Sequence, residues 1–148
     1  MRAKGDLVLT VQYAVDNDGL PSKRHFTGWA RTALQKPAEI TIRLIDQQES
    51  EALNRRFRGK DTATNILTFV YEEGALLRGD IALCAPVIYA ESVQQQKRLE
   101  AHYAHLTVHG LLHLQGYDHL NDIEAATMEA LEIDILTQLG FANPYTDA

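Results

Sequence analysis

His109, His113 and His119 follow one another at intervals of four and six residues, with Gly116 between the second and the third. On a helix, residues four apart lie on one face, one above the other. His109 and His113 can therefore aim two imidazoles at one point. Gly116 is suited to ending that helix, because glycine tolerates the left-handed conformation of a C-terminal cap. The chain can then turn back and deliver His119 as a third ligand. Three neutral imidazoles with a fourth position left for water describe a catalytic zinc site. A structural zinc site would usually be closed by four protein ligands, often thiolates, and no cysteine lies nearby. A lone histidine on an apolar helix is usually a hydrogen-bonded core residue, but three with a glycine at the turn favour the metal. His102 and His105 share the same helix face. They are either outer groups or cleft-lining groups of this site, or partly buried polar residues.

The spacing is that of the long zinc-protease motif H-E-x-x-H-x-x-G-x-x-H. One position differs. The glutamate that serves those proteases as general base is replaced by Gly110. Ligand geometry without the peptidase base argues for hydrolysis of something other than a peptide, or for a base supplied elsewhere.

A second group of residues could meet a phosphate. The formal net charge is −6, whereas a protein that binds nucleic acid by bulk attraction is normally basic. Any such contact must be local, and Arg55, Arg56, Arg58 and Lys60 are the densest source of positive charge. A charge run is otherwise only a solvated face. Cys84 is the single cysteine, which excludes an internal disulfide and fits a reducing cytoplasm. Its expected role is that of a small apolar residue in a strand. The apolar runs are too short to span a bilayer, and residues 1–6 do not lead into a secretory signal.

These candidates need elements to position them. Residues 7–15 read as a strand with partial alternation, and residues 39–45 as a half-buried strand. Residues 64–70 form a β-branched and aromatic third strand, and residues 79–84 a fourth. Pro21 and Ser22 open a helix carrying Phe26, Trp29, Ala33 and Leu34 on its apolar face. Asp46 with Glu49 resembles a capping box, opening a helix through about Phe57. Pro86 suits the first turn of a helix running to about Gln96. The histidine helix covers roughly residues 100–115. Asn121 with Glu124 opens a last helix, with Leu131, Ile135 and Leu139 on one face and Gly140 as its stop. The order β-α-β-α-β-β-α-α-α predicts an α+β protein: one mixed four-stranded sheet with helices packed on it, its third and fourth strands antiparallel. At 148 residues the chain, residues 1–148, is expected to be one domain with a real core.

The stretch His109-Gly110-Leu111-Leu112-His113-Leu114-Gln115-Gly116-Tyr117-Asp118-His119 resembles the H-G-x-L-H-L-x-G-Y-D-H signature of the YbeY family of bacterial endoribonucleases. Upstream, Leu53-Asn54 and Phe57-Arg58-Gly59-Lys60-Asp61 resemble the family segment that carries its functional arginine, which falls on Arg58. Residues 64–69 and Gly79-Asp80-Ile81 resemble its next two strands, and Met128-Glu129, Leu131-Glu132 and Gly140 also fit. Thr68 stands where the family usually has serine, and Val70 where it often has proline.

The resemblance implies a zincin-like fold and one zinc ion per chain, held by His109, His113 and His119. It implies a metal-dependent endoribonuclease specific for single strands, acting in ribosomal RNA maturation, notably of the small subunit, and in ribosome quality control. Implied partners are precursor ribosomal RNA, ribosomal particles and small-subunit assembly proteins, with no membrane. Joined to the chemistry above, it implies that zinc-activated water attacks an RNA phosphodiester. Zinc and Arg58 then share the charge that builds on the phosphate oxygens. Asp118 is either an orienting or proton-accepting group or a residue bonded into its own turn, and Tyr117 is expected to pack. Two rivals remain open: a metallohydrolase of another substrate, including a peptidase with a displaced base, and a non-catalytic ribosome-assembly factor whose zinc is structural.

Overall fold

The structure, a computed structural model, describes residues 6–146. Of the segment read for a secretory leader, residues 1–5 lie outside these. The elements follow the expected order. They are β1 (Leu7–Tyr13), α1 (Lys23–Ala33), β2 (Ala38–Ile45), α2 (Gln47–Arg58), β3 (Ile66–Glu72), β4 (Leu77–Cys84), α3 (Ala85–Gln94), α4 (Leu99–Leu114) and α5 (Asp122–Gln138). The four strands form one sheet in the order β1-β2-β4-β3. β1, β2 and β4 run parallel, and β3 pairs antiparallel with β4, with Thr68 opposite Ile81. β3 is thus an edge strand.

The alternation of each strand decides which helix it meets. Ile40, Ile42 and Leu44 of β2 and Leu77, Ile81 and Leu83 of β4 join the main core with α1 and α4. The opposite face carries Ile45, Leu67, Ala82 and Cys84, against Leu53 of α2 and Val87 of α3. Cys84 is a buried free thiol, as expected of it. α4 is buried on nearly every side, from His102 through Leu114, as a helix enclosed by a sheet and three other helices must be. Among the described residues, no helix is long and apolar enough to cross a membrane.

Several local expectations shift, with β1 ending at Tyr13 rather than at residue 15 and β4 beginning at Leu77 rather than at residue 79. The third strand begins at Ile66 rather than at residue 64. The Thr64 backbone is taken by buried Ser50, whose hydroxyl donates to the Thr64 carbonyl (2.9 Å) and accepts from its N–H (3.0 Å). Asp46 caps α2 by accepting from the Glu49 N–H (2.8 Å), but the capping box stays half made. The Glu49 carboxylate instead accepts from Arg43 Nε and a terminal nitrogen, at 2.7 and 3.1 Å. Asn121 caps α5 as read, accepting from the Glu124 N–H at 2.9 Å.

Candidate active site

α4 ends as its glycine requires. Gly116 has φ +100°, and the Gly116 and Tyr117 N–H groups donate back to the His113 and Leu112 carbonyls at 3.0 and 3.2 Å. This is a Schellman cap, which turns the chain through Tyr117 and Asp118 to His119. The turn also orients a histidine. His113 Nδ1 lies 3.2 Å from the Tyr117 carbonyl, which can only accept, so Nδ1 carries a proton and the neutral ring has its lone pair on Nε2.

His109 is held the same way by a different group. Its Nδ1 donates to Glu132 Oε2 at 2.7 Å. Glu132, on α5, is wholly buried. Its other oxygen, Oε1, accepts from His105 Nε2 at 2.7 Å and from the Tyr145 hydroxyl. Burial alone would raise the Glu132 carboxyl. The hydrogen bonds from His105, His109 and Tyr145, together with the charge of His109, outweigh burial and hold it at about 2. Glu132 and Tyr145 were not singled out as functional by sequence reasoning. Glu132 reads as one more polar residue of α5, and Tyr145 lies beyond its end. The sequence signal for Glu132 was its family match alone.

His119 is 60% exposed, and its ring centre stands 5.8 Å from that of His109. The two line one cleft of about 370 Å³ with Met128, Glu129, Glu132 and Tyr145. Two imidazoles on one tetrahedral zinc at ~2.0–2.1 Å have ring centres on the order of 5 Å apart. His109 and His119 are thus close to that spacing without meeting it, and among the described residues no three donors are gathered into a formed metal cluster. The donor chemistry nonetheless fits a metal. His109 and His113 each present a bare Nε2, with the second nitrogen engaged by an acceptor, the arrangement that orients ligating histidines. Asp118 is bonded into its turn, accepting from the His119 N–H at 2.8 Å. Tyr117 packs against the core.

The other two histidine questions divide. His105 is an outer group of this site, through Glu132. His102 is buried and belongs elsewhere: its Nε2 donates to Glu91 Oε1 at 2.9 Å, and Glu91 also accepts from the Asn65 side chain. His102 is a strut tying α4 to α3 and to the start of β3. Burial lowers its pKa despite the Glu91 carboxylate.

Gly110 has a packing reason as well as a chemical one. It faces the sheet, and a Cβ there would lie 2.8 Å from Ile66 Cδ1 and 3.3 Å from Ile81 Cδ1. The side of α4 that would carry a protease glutamate is closed by β3 and β4. Gly110→Glu is therefore expected to lose at least about 3 kcal/mol in urea unfolding, because a carboxylate is forced into an apolar contact without a partner. It should gain no peptidase activity. A variant as stable as the parent would show that this side of α4 can open.

The four cations at the end of α2 have different surroundings. Arg55 pairs with Asp61 at 3.0 Å, and Arg56 lies over the Phe57 ring at 5.2 Å. Arg58 and Lys60 are exposed and have no ion pair among the described residues. Arg58 is the last residue of α2, followed by Gly59 at φ +68° as its cap. α2 packs on the sheet face opposite α4, and Arg58 does not border the cleft of His109 and His119. The connecting loop is tied down, with buried Asn54 donating to the Thr62 carbonyl at 2.7 Å. It leads to Ile66, which abuts α4 at Gly110. On the α2 face, Arg43, Arg56, Phe57, Phe69, Tyr71 and Asp80 border a second cleft of about 350 Å³.

A sequence model of the family described as Endoribonuclease YbeY matches residues 21–140. The chain is 59% identical over 140 residues to the Endoribonuclease YbeY of Nitrosomonas europaea, covering 95% of this chain and 85% of that one. It is 51% identical over 140 residues to that of Methylobacillus flagellatus, covering 95% and 94%. The solution structure of TM1509 from Thermotoga maritima has the same fold, with a TM-score of 0.57 at 19% identity, over 94% of this chain and 99% of that one. The matched stretch contains all three histidines, the glycine that turns the chain between them, the arginine at the end of α2 and three of the four strands. The chain belongs to the YbeY endoribonuclease family.

Proposed function

We propose that this protein is a zinc-dependent endoribonuclease that cuts single-stranded RNA in the maturation of ribosomal RNA, notably that of the small subunit, and in ribosome quality control. Membership of an endoribonuclease family supports hydrolysis of RNA as the activity. The observation that carries the metal dependence is the pairing of His109 and His113 Nδ1 with acceptors, which leaves two bare Nε2 donors one helical turn apart. His109, His113 and His119 would hold one zinc ion. Bound there, the ion supplies Lewis acidity and makes water acidic enough to lose a proton near neutral pH.

The chain's own residues do the rest. Tyr117 and Glu132 keep the two helix histidines in the ligating tautomer. Arg58 is the cation for the phosphodiester: its planar fork can meet two non-bridging oxygens and stabilise the charge they gain as the bond to phosphorus forms. An acidic chain has few placed cations to spare, and Arg58 is one of two at this loop without an ion pair among the described residues. Its partners would be precursor ribosomal RNA, ribosomal particles and small-subunit assembly proteins, in the cytoplasm. The buried face of Gly110 supports a substrate other than peptide.

Purified protein should cleave single-stranded RNA and leave casein intact, and a chelator should abolish the cleavage until zinc is restored. Chelator-sensitive proteolysis without RNA cleavage would overturn the reading in favour of a peptidase. RNA cleavage indifferent to chelator would overturn its metal dependence.

A further inference from the structure

A wholly buried carboxylate draws three donors from two parts of the chain, two from α4 and one from the segment after α5. Glu132 Oε2 takes the Nδ1 proton of His109, while Oε1 takes the Nε2 proton of His105 and the Tyr145 hydroxyl. A carboxylate only accepts, so His109 carries a proton on Nδ1, and its neutral ring is the tautomer that leaves the Nε2 lone pair free. Tyr145 is neither a helix nor a strand residue. It comes from the segment after α5, beyond residues 21–140 that the family pattern matches, and its ring meets His105 edge-on at 5.3 Å between centres. The segment is anchored from the other side, where Lys97 Nζ donates to the Pro144 carbonyl at 2.9 Å. Tyr145 also borders the cleft shared by His109 and His119.

We propose that Glu132 is a positioning residue of the histidine site, fixing the His109 ring and its tautomer, and that Tyr145 from the C-terminal segment holds Glu132 in place. The proposal rests on His109 being a metal ligand. A carboxylate behind a ligating imidazole fixes the ring and raises its basicity, and losing it typically costs about 10–100-fold in metal affinity. The C-terminal segment thereby becomes part of the site. It closes Oε1, the side of the carboxylate that His109 does not use.

Two measurements decide it. In metal-free protein, ¹⁵N NMR of the His109 ring should show the proton on Nδ1. Zinc competition against a chromophoric chelator should show a Kd raised about 10–100-fold in Glu132→Gln, since the neutral amide has one acceptor oxygen for three donors. Tyr145→Phe, at a half-exposed position, should raise Kd by less, several-fold, because Glu132 keeps two of its three donors. A His109 proton on Nε2, or an unchanged Kd in both variants, would overturn the proposal. His109→Ala is the control. If it binds zinc as tightly as the parent, the metal reading itself fails and takes this proposal with it. If it loses zinc while Glu132→Gln and Tyr145→Phe keep it, the metal reading stands and only the positioning role falls.

Discussion

His113→Ala is expected to lose both its zinc and its RNA cleavage while keeping the fold. Removing an outer carboxylate costs about 10–100-fold in affinity, so removing a ligand should cost more than that. RNA cleavage, which depends on the ion, should fall at least as far. The fold should survive because His113 is only partly buried at the end of α4, and the Schellman cap below it uses backbone groups alone. His102→Ala is the informative contrast. It lies on the same helix, but its partner is Glu91. Removing it leaves Glu91 and a small cavity behind, so it should lower stability and spare zinc. Metal content after dialysis, chelator competition and cleavage rate on one RNA separate the two. A His113→Ala protein with the parent's zinc stoichiometry and affinity would remove His113 from the ligand set. A His102→Ala protein that folds normally but lacks zinc would move the site up the helix.

Arg58→Ala is expected to keep fold and zinc and to cleave RNA on the order of 10²–10³-fold more slowly, the loss seen when one preorganised transition-state donor is removed. Its exposure at the α2 terminus makes a structural loss small. Arg58→Lys should recover only part of the rate, because a point charge cannot meet two oxygens as the planar fork does. Arg55 and Arg56 are already engaged, by Asp61 and by the Phe57 ring, so their alanine variants should cleave near the parent's rate. Single-turnover cleavage at saturating protein reads the step of interest. If Arg58→Ala matched the parent while Arg55→Ala or Arg56→Ala did not, the second cleft on the α2 face would be the place to look for the RNA.

The amino-acid sequence by itself determined the order of elements and the histidine turn. Helix period, strand alternation and caps act over a few residues, so Ser22, Asp46, Asn121 and Gly116 sit where local rules put them. The four-six spacing of His109, His113 and His119 is local too, which is why it could be read at once. Only the tertiary structure decided what stands behind those histidines. Glu132 lies 23 residues from His109 and Tyr145 36, and no period connects them. They meet because α5 packs on α4 and the last segment folds back over both. The same holds for Gly110: the sequence shows an absent base, and the fold puts the Ile66 and Ile81 side chains where its Cβ would stand. His102 and His105 share a face and a spacing, yet one neighbour is α3 and the other α5. Sequence period sets which way a side chain points, whereas its partner depends on which element the folded chain brings to that side.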